Sequence, residues 1–219
     1  MRVAALYDVH GNLPALEAVL AEVEREGVER VVSGGDLFSP PFAAECLERL
    51  LALGDRVLFV RGNADRQAVG FEDVVAGWPL TVELDVGGLG RVLFCHGSPR
   101  SDEEILTRVS PDERVAAALA GVEADFVVGG HTHVQFDREV AGRRLVNAGS
   151  VGMPYEGRPG AFWALLGPEA ELRRTDYDAA GVIAALEAMG DPGALDRVGW
   201  LHHPPDPDEV SAYFESQAD

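Results

Sequence analysis

The chain has 219 residues, 47% hydrophobic and 25% charged, which suits one large globular domain or a domain with a short appendage and excludes collagenous or low-complexity architecture. Acidic residues number 37 against 18 basic ones, all of them Arg, for a formal net charge of −19. Such a field repels polyanions, so extended nucleic acid and an anionic membrane are excluded as partners, while a small phosphorylated substrate at a local cationic site is not.

Residues 3–7 form a continuous apolar run that reads as a buried strand. Asn12 caps a helix whose apolar positions, Leu13, Leu16, Val19, Leu20 and Val23, recur at spacings of three and four. Residues 30–33 are a second strand. Pro40 and Pro41 open a second helix, apolar at Phe42, Cys46, Leu47, Leu50 and Leu51, which Gly54 ends. Residues 56–60 are a third strand. After Gly70 the pattern shifts to hairpins, with runs 80–86 and 91–95 flanking a glycine-rich turn. Ser110, Pro111 and Glu113 mark a helix start, and 124–128 is another strand. Runs 136–140 and 144–147 turn around Ala141-Gly142, and 161–166 pairs with 171–175. Residues 178–189 are an amphipathic helix broken by Gly190-Asp191-Pro192-Gly193, and one short helix is expected over 208–216. Strands alternating with helices, joined by antiparallel hairpins, give an α/β fold with mixed sheets in two layers.

Polar residues recur where the apolar strands end: Asp8-Val9-His10, Gly34-Gly35-Asp36, Gly62-Asn63, His96-Gly97 and Gly129-Gly130-His131-Thr132-His133. Ligands of α/β sheets bind outside the carboxyl ends of strands, so these five ends are expected to converge. Taken singly, each fragment also reads as a turn, a cap or a core histidine; together they share one location. Two Asp, four His and one Asn offer oxygen and imidazole nitrogen but no thiolate, a set suited to Mn, Fe, Zn, Co or Ni. The i, i+2 spacing of Asp8 with His10, and of His131 with His133, places each pair on one side of an extended segment. Seven donors exceed the needs of one first-row ion and suit two ions sharing a carboxylate. Asp36 is the best bridge, giving one oxygen to each.

In this order, DVHGN, GGD, GNAD, HG and GGHTH resemble the motifs of the calcineurin-like metallophosphoesterase family, and most of all its small bacterial and archaeal phosphodiesterase branch. That branch commonly follows them with a segment like 147–154, NAGSVGMP. The resemblance implies a four-layer αββα sandwich, two mixed β-sheets flanked by helices, with residues 1–176 as the catalytic domain and 177–219 as a C-terminal helical appendage packed on it. It implies two divalent transition-metal ions, manganese among the choices. One ion would lie on Asp8, His10, Asp36 and His133, the other on Asp36, Asn63, His96 and His131, with Asp36, Asn63 and His96 also acting in catalysis. The implied reaction is hydrolysis of a phosphodiester or phosphoanhydride by a hydroxide shared between the ions.

Two positions depart from the family pattern. Many of its phosphatases carry His after the Asn of the Gly-Asn motif, where it protonates the leaving group; here that residue is Ala64. Alkyl phosphomonoesters are therefore expected to be poor substrates. Tyr7 stands where Ser often precedes the first Asp, with no functional reading. Related motifs also serve protein phosphatases and dinucleoside-polyphosphate hydrolases. The same fold serves as a non-catalytic interaction scaffold, a reading that predicts lost ligands where all seven positions here are filled.

Asn12, Arg66, Arg100 and Tyr155 are the candidate substrate contacts, with Arg61 and Arg158 beside them, although Asn12 is equally the helix cap. His202, His203, Cys95, Trp78 and Trp163 read as bystanders, while Trp200 pins the tail or meets a second copy. Two cysteines do not make a disulfide framework, no apolar run approaches the length of a membrane span, and the N-terminal stretch does not read as a secretory leader. A reduced, cytoplasmic protein is expected, its oligomeric state open.

Overall fold

Alternation along β1 (Val3–Leu6) sorts its residues into two different apolar layers: Ala4 and Leu6 pack under helices, Val3 and Ala5 against a second sheet. The computed structural model describes residues 1–218 and carries this sorting through four layers. One sheet holds β1, β2 (Arg30–Ser33), β3 (Val57–Phe59), β9 (Ala161–Leu166) and β10 (Ala170–Thr175), in the order β10-β9-β1-β2-β3. The other holds β4 (Thr81–Val86), β5 (Gly90–Cys95), β6 (Phe126–Gly129), β7 (Phe136–Val140) and β8 (Arg143–Asn147), in the order β4-β5-β6-β8-β7. Strands β1, β2 and β3 run parallel, as do β5, β6 and β8, and antiparallel strands complete each sheet.

Helices α1 (Leu13–Arg25) and α2 (Ala43–Leu51) cover the outer face of the first sheet, where Leu16, Leu20, Cys46 and Leu50 meet Leu6 and Trp163. Between the sheets lie Val32, Phe94, Val128, Val146 and Leu166. Helix α4 (Asp112–Ala118) sets Val115 on Leu93, Val127 and Leu145 of the second sheet. Each such side chain, fully buried, stabilises the fold by roughly 1.5–3 kcal/mol. The layers and mixed sheets agree with the αββα expectation. No helix among the described residues is long and apolar enough to cross a membrane.

Three local expectations are corrected. Helix α2 begins at Ala43, with Pro40 and Pro41 left in the preceding loop, because a residue followed by proline is driven out of helical backbone. Pro111, not Ser110, precedes α4; the Ser110 hydroxyl instead accepts from Thr107 N at 2.8 Å. The short α3 (Glu72–Val75) lies between, and α5 (Ala180–Met189) ends on Gly190 at φ 71°. Asp191-Pro192, read as a break, instead starts α6 (Pro192–His202): Asp191 accepts from Ala194 N at 3.0 Å, and proline stands in the first turn. A further helix, α7 (Pro207–Gln217), follows with Asp206 as its cap.

Candidate metal centre

The loops after β1, β2, β3, β5 and β6 carry Asp8 and His10, Asp36, Asn63, His96, and His131 and His133. Main-chain bonds tie these loops together: Asp8 N donates to Gly35 O, His10 N to Asp36 O, Gly130 N to His96 O and Gly152 N to Asp8 O, all at 2.9–3.0 Å. The backbone there is not extended. Asp8, His10, Asp36, His131 and His133 have φ of 54°, 44°, 54°, 69° and 57°, five of the six non-glycine residues at positive φ among the described residues. Extended alternation therefore does not hold here: Asp8 and His10 still share a group, but His131 and His133 part. The left-handed turns aim Asp8, His10 and His133 into one group and Asp36, His96 and His131 into another, the donor atoms of each within 4.8 Å of one another.

The two groups adjoin. Asp8 Oδ1 lies 3.2 Å from His133 Nε2 and 3.8 Å from the Nε2 atoms of His10 and His96. Asp36 Oδ2 lies 3.4 Å from His96 Nε2 and 3.9 Å from His10 Nε2, and Asn63 Oδ1 is 3.1 Å from His96 Nε2. The other oxygen of each carboxylate is held by main chain: His131 N donates to Asp8 Oδ2 at 3.0 Å and Ala64 N to Asp36 Oδ1 at 2.8 Å. Asp36 Oδ2 thus faces both groups.

The donor set fits divalent ions on physical grounds. Asp8 Oδ1 is buried and accepts no hydrogen bond. His133 Nδ1 donates to Met153 O at 2.7 Å and His96 Nδ1 to Gly34 O at 2.9 Å. A carbonyl can only accept, so these bonds fix a proton on Nδ1 of each ring and turn Nε2 toward the carboxylates. His10 Nε2 lies 3.2 Å from His133 Nε2. Burial, with a neighbouring histidine, pulls His10 and His131 down to about 4, so both are neutral imidazoles. Burial opposes charge on His96 as well, yet Asp36 and Asp8 outweigh it and push His96 up to about 10. Asp36 stays ionised below the ordinary carboxylate value, His96 overcoming the cost of its burial. The cluster demands positive charge.

Comparison with known proteins agrees. The calcineurin-like phosphoesterase superfamily domain matches residues 1–167. This chain belongs to that superfamily. A metallophosphoesterase from Sphaerobacter thermophilus superposes with a TM-score of 0.73 at 25% identity, over 91% of this chain and 98% of its own. A hypothetical protein of Pyrococcus horikoshii shares the fold with a TM-score of 0.79 at 21% identity, over 94% and 99% of the two chains. The phosphodiesterase YfcE of Escherichia coli is 28% identical over 176 residues, 75% of this chain and 87% of the relative.

This calcineurin-like phosphoesterase braces its candidate ligands with residues that the motif reading passed over. Asp65 accepts from the N–H groups of Asp36 and Leu37 at 2.8 Å, Gly62 at 2.9 Å and Phe38 at 3.3 Å, fixing the loop that presents Asp36. Burial and the Asp36 charge push its carboxyl up to about 6 against those bonds. The clue was an Asp three residues after a turn glycine. Ser150, inside the NAGSVGMP segment, donates to Asp8 O at 2.8 Å. Tyr7 is a pillar between the sheets: its hydroxyl donates to Val128 O at 3.0 Å. A Cβ on Gly130 would stand 2.4 Å from the Tyr7 ring and 2.7 Å from Asp8 Oδ2, and one on Gly62 only 2.2 Å from Asp36 Oδ1, so glycine is required at both.

The expected substrate contacts fare differently. Asn12 is fully buried and committed as cap and clamp, accepting from Ala15 N and donating to Gly152 O and Tyr177 Oη. Of its two readings, the helix cap is the one this geometry displays. Arg66 is held by Asp102 and Glu103, Arg61 by Asp102, and Arg100 by Glu104, so acids already neutralise all three. Arg158 lies over the Phe162 ring. Tyr155 stacks on His133, ring centroids 4.8 Å apart, and meets Trp200 edge-on at 5.9 Å. The C-terminal helices reach the same face: Arg197 donates to the carbonyls of His10 and Pro40, and the Phe214 ring lies 6.4 Å from that of His131.

Proposed function

We propose that this phosphoesterase is a phosphodiesterase working through two divalent transition-metal ions, with phosphoanhydrides as its other substrates. The observation that carries the reading is the complete, preorganised donor set: seven side chains from five loops, two of them carboxylates whose free oxygens face imidazole nitrogens. Divalent ions bound there would neutralise the non-bridging oxygens and make water nucleophilic near neutral pH. By this reading Asp8, His10, Asp36 and His133 would hold one ion, and Asp36, Asn63, His96 and His131 the other. The Ala64 N–H would keep Asp36 oriented, and the left-handed turns would keep the imidazoles from rotating away. Ala64 donates no side-chain proton, so the departing oxygen leaves as an anion. A good leaving group, as in an aryl diester or an anhydride, is therefore favoured over an alkyl monoester. The name of the Escherichia coli relative, a phosphodiesterase, supports the same bond class. A degraded scaffold would have lost donors, and this chain retains all seven. The small anionic substrate, the cytoplasmic setting and manganese as one usable ion belong to the same proposal.

The test is an assay of metal-depleted protein against bis(4-nitrophenyl) phosphate and 4-nitrophenyl phosphate with Mn, Co, Ni, Zn, Fe(II) or Mg added back. Metal-dependent turnover favouring the diester is expected, and Ala64→His should raise monoesterase turnover by about 10-fold or more. Monoester preference in the wild type, or no turnover with any ion, would overturn the proposal.

A further inference from the structure

Beside the candidate centre lies an open groove of about 810 Å³ between the start of α2 and the 64–71 segment. Phe38, Pro40, Pro41, Ala44, Ala68 and Phe71 line it. Phe38 stacks on Phe71 at 4.3 Å and on Trp78 at 5.6 Å, which makes one wall a fixed aromatic surface. The groove is continuous with the centre. Asn63 and Ala64 line it, while Asn63 Oδ1 lies 3.1 Å from His96 Nε2 and Ala64 N donates to Asp36. Ser39, on the same lining, reaches His10 Nδ1 at 3.3 Å. Among the described residues its lining carries one charge, the acid Glu45, and no arginine. A concave, mostly apolar cavity of this size with a few polar groups suits a small organic moiety. The acid without a base disfavours a second phosphate there.

We propose that this groove binds an uncharged aryl or comparably apolar ester substituent while the phosphoryl group lies at the metal ligands. The proposal rests on the phosphodiesterase reading above and narrows its substrate class to diesters with one apolar, uncharged arm.

The experiment compares phenylphosphonate with methylphosphonate, equal in charge and differing only in the substituent. Calorimetric binding to the manganese-loaded protein is measured alongside inhibition of bis(4-nitrophenyl) phosphate hydrolysis. Binding of uncharged 2-naphthol to metal-depleted protein is followed by its fluorescence. Ala44 is exposed on α2, so Ala44→Trp fills the groove from a surface position, and Leu51→Trp, also exposed on α2, serves as the control. Phenylphosphonate is expected to bind at least tenfold tighter than methylphosphonate. That advantage should fall below threefold in Ala44→Trp and persist in Leu51→Trp, with naphthol binding lost in the first variant alone. Equal affinity for the two phosphonates, with diester turnover intact, overturns the groove assignment and leaves the phosphodiesterase reading standing. Naphthol binding that Ala44→Trp abolishes, without turnover of any diester, sinks the phosphodiesterase reading and with it the ester arm as occupant. A wild-type dimer that Ala44→Trp converts to monomer, with no aryl preference, overturns the proposal in favour of a second copy.

Discussion

At the residue scale, the backbone carries as much of the design as the side chains. Left-handed φ costs a non-glycine residue roughly 1–2 kcal/mol, and five of the candidate ligands adopt it. Such strain persists only where its surroundings hold it, and Asp65 is the clearest holder. Asp65→Asn replaces one acceptor oxygen with a donor that faces main-chain N–H groups. The cost should be about 2–4 kcal/mol, seen as a fall in Tm of about 5–10 °C, together with weaker metal binding. An unchanged melting curve would show that the Asp36 loop does not depend on it. The motif residues were legible because Asp, His and Asn gather at strand ends; Asp65 was not, because its work is to satisfy backbone groups that no side-chain pattern displays. Ala64 shows both sides. Its missing imidazole is visible in the sequence, but its N–H to Asp36 Oδ1 appears only in the fold.

Among the elements, the strands, α1, α5 and α7 were readable from period and capping, while α6 was not. Asp191-Pro192 carries both a stop and a start signal, and only packing decides: Val182, Leu186, Ala194 and Val198 of α5 and α6 bury one another. Helix α7 is fastened through Glu215, which accepts from Thr107 Oγ1 at 2.6 Å and from Ser110 and Arg114. Burial raises the cost of its charge, but these donors prevail and hold the carboxyl below its ordinary value of 4.5. A carboxylate with a depressed folded pKa stabilises above its unfolded value and loses that contribution as pH falls through the folded one. The wild type should therefore melt above Glu215→Gln at neutral pH, the gap closing in acid as Glu215 protonates. A gap independent of pH would mean that Glu215 contributes shape rather than charge.

For the whole molecule, two sheets stacked face to face bring the ends of β1, β2 and β3 beside those of β5 and β6, so one centre draws on both halves. Hairpins and buried strands announced the mixed sheets, but which residue pairs share a group depended on the backbone turns. The net charge of −19 surrounds that centre and opposes the approach of an anionic substrate. Raising ionic strength from 10 to 150 mM shortens the Debye length from about 30 Å to about 8 Å. The kcat/KM for bis(4-nitrophenyl) phosphate should rise about two- to fivefold across that range, and a fall would show that local cations dominate its capture.

The central claim is that these seven side chains form a two-ion centre. Its most direct test is the stoichiometry of manganese binding to metal-depleted protein by calorimetry, beside Asp36→Asn. The account predicts two ions per chain, and in Asp36→Asn the loss of at least one together with weakened binding of any that remains, because Asp36 Oδ2 faces both groups. Binding of no ion, or an isotherm that Asp36→Asn leaves unchanged, would contradict it.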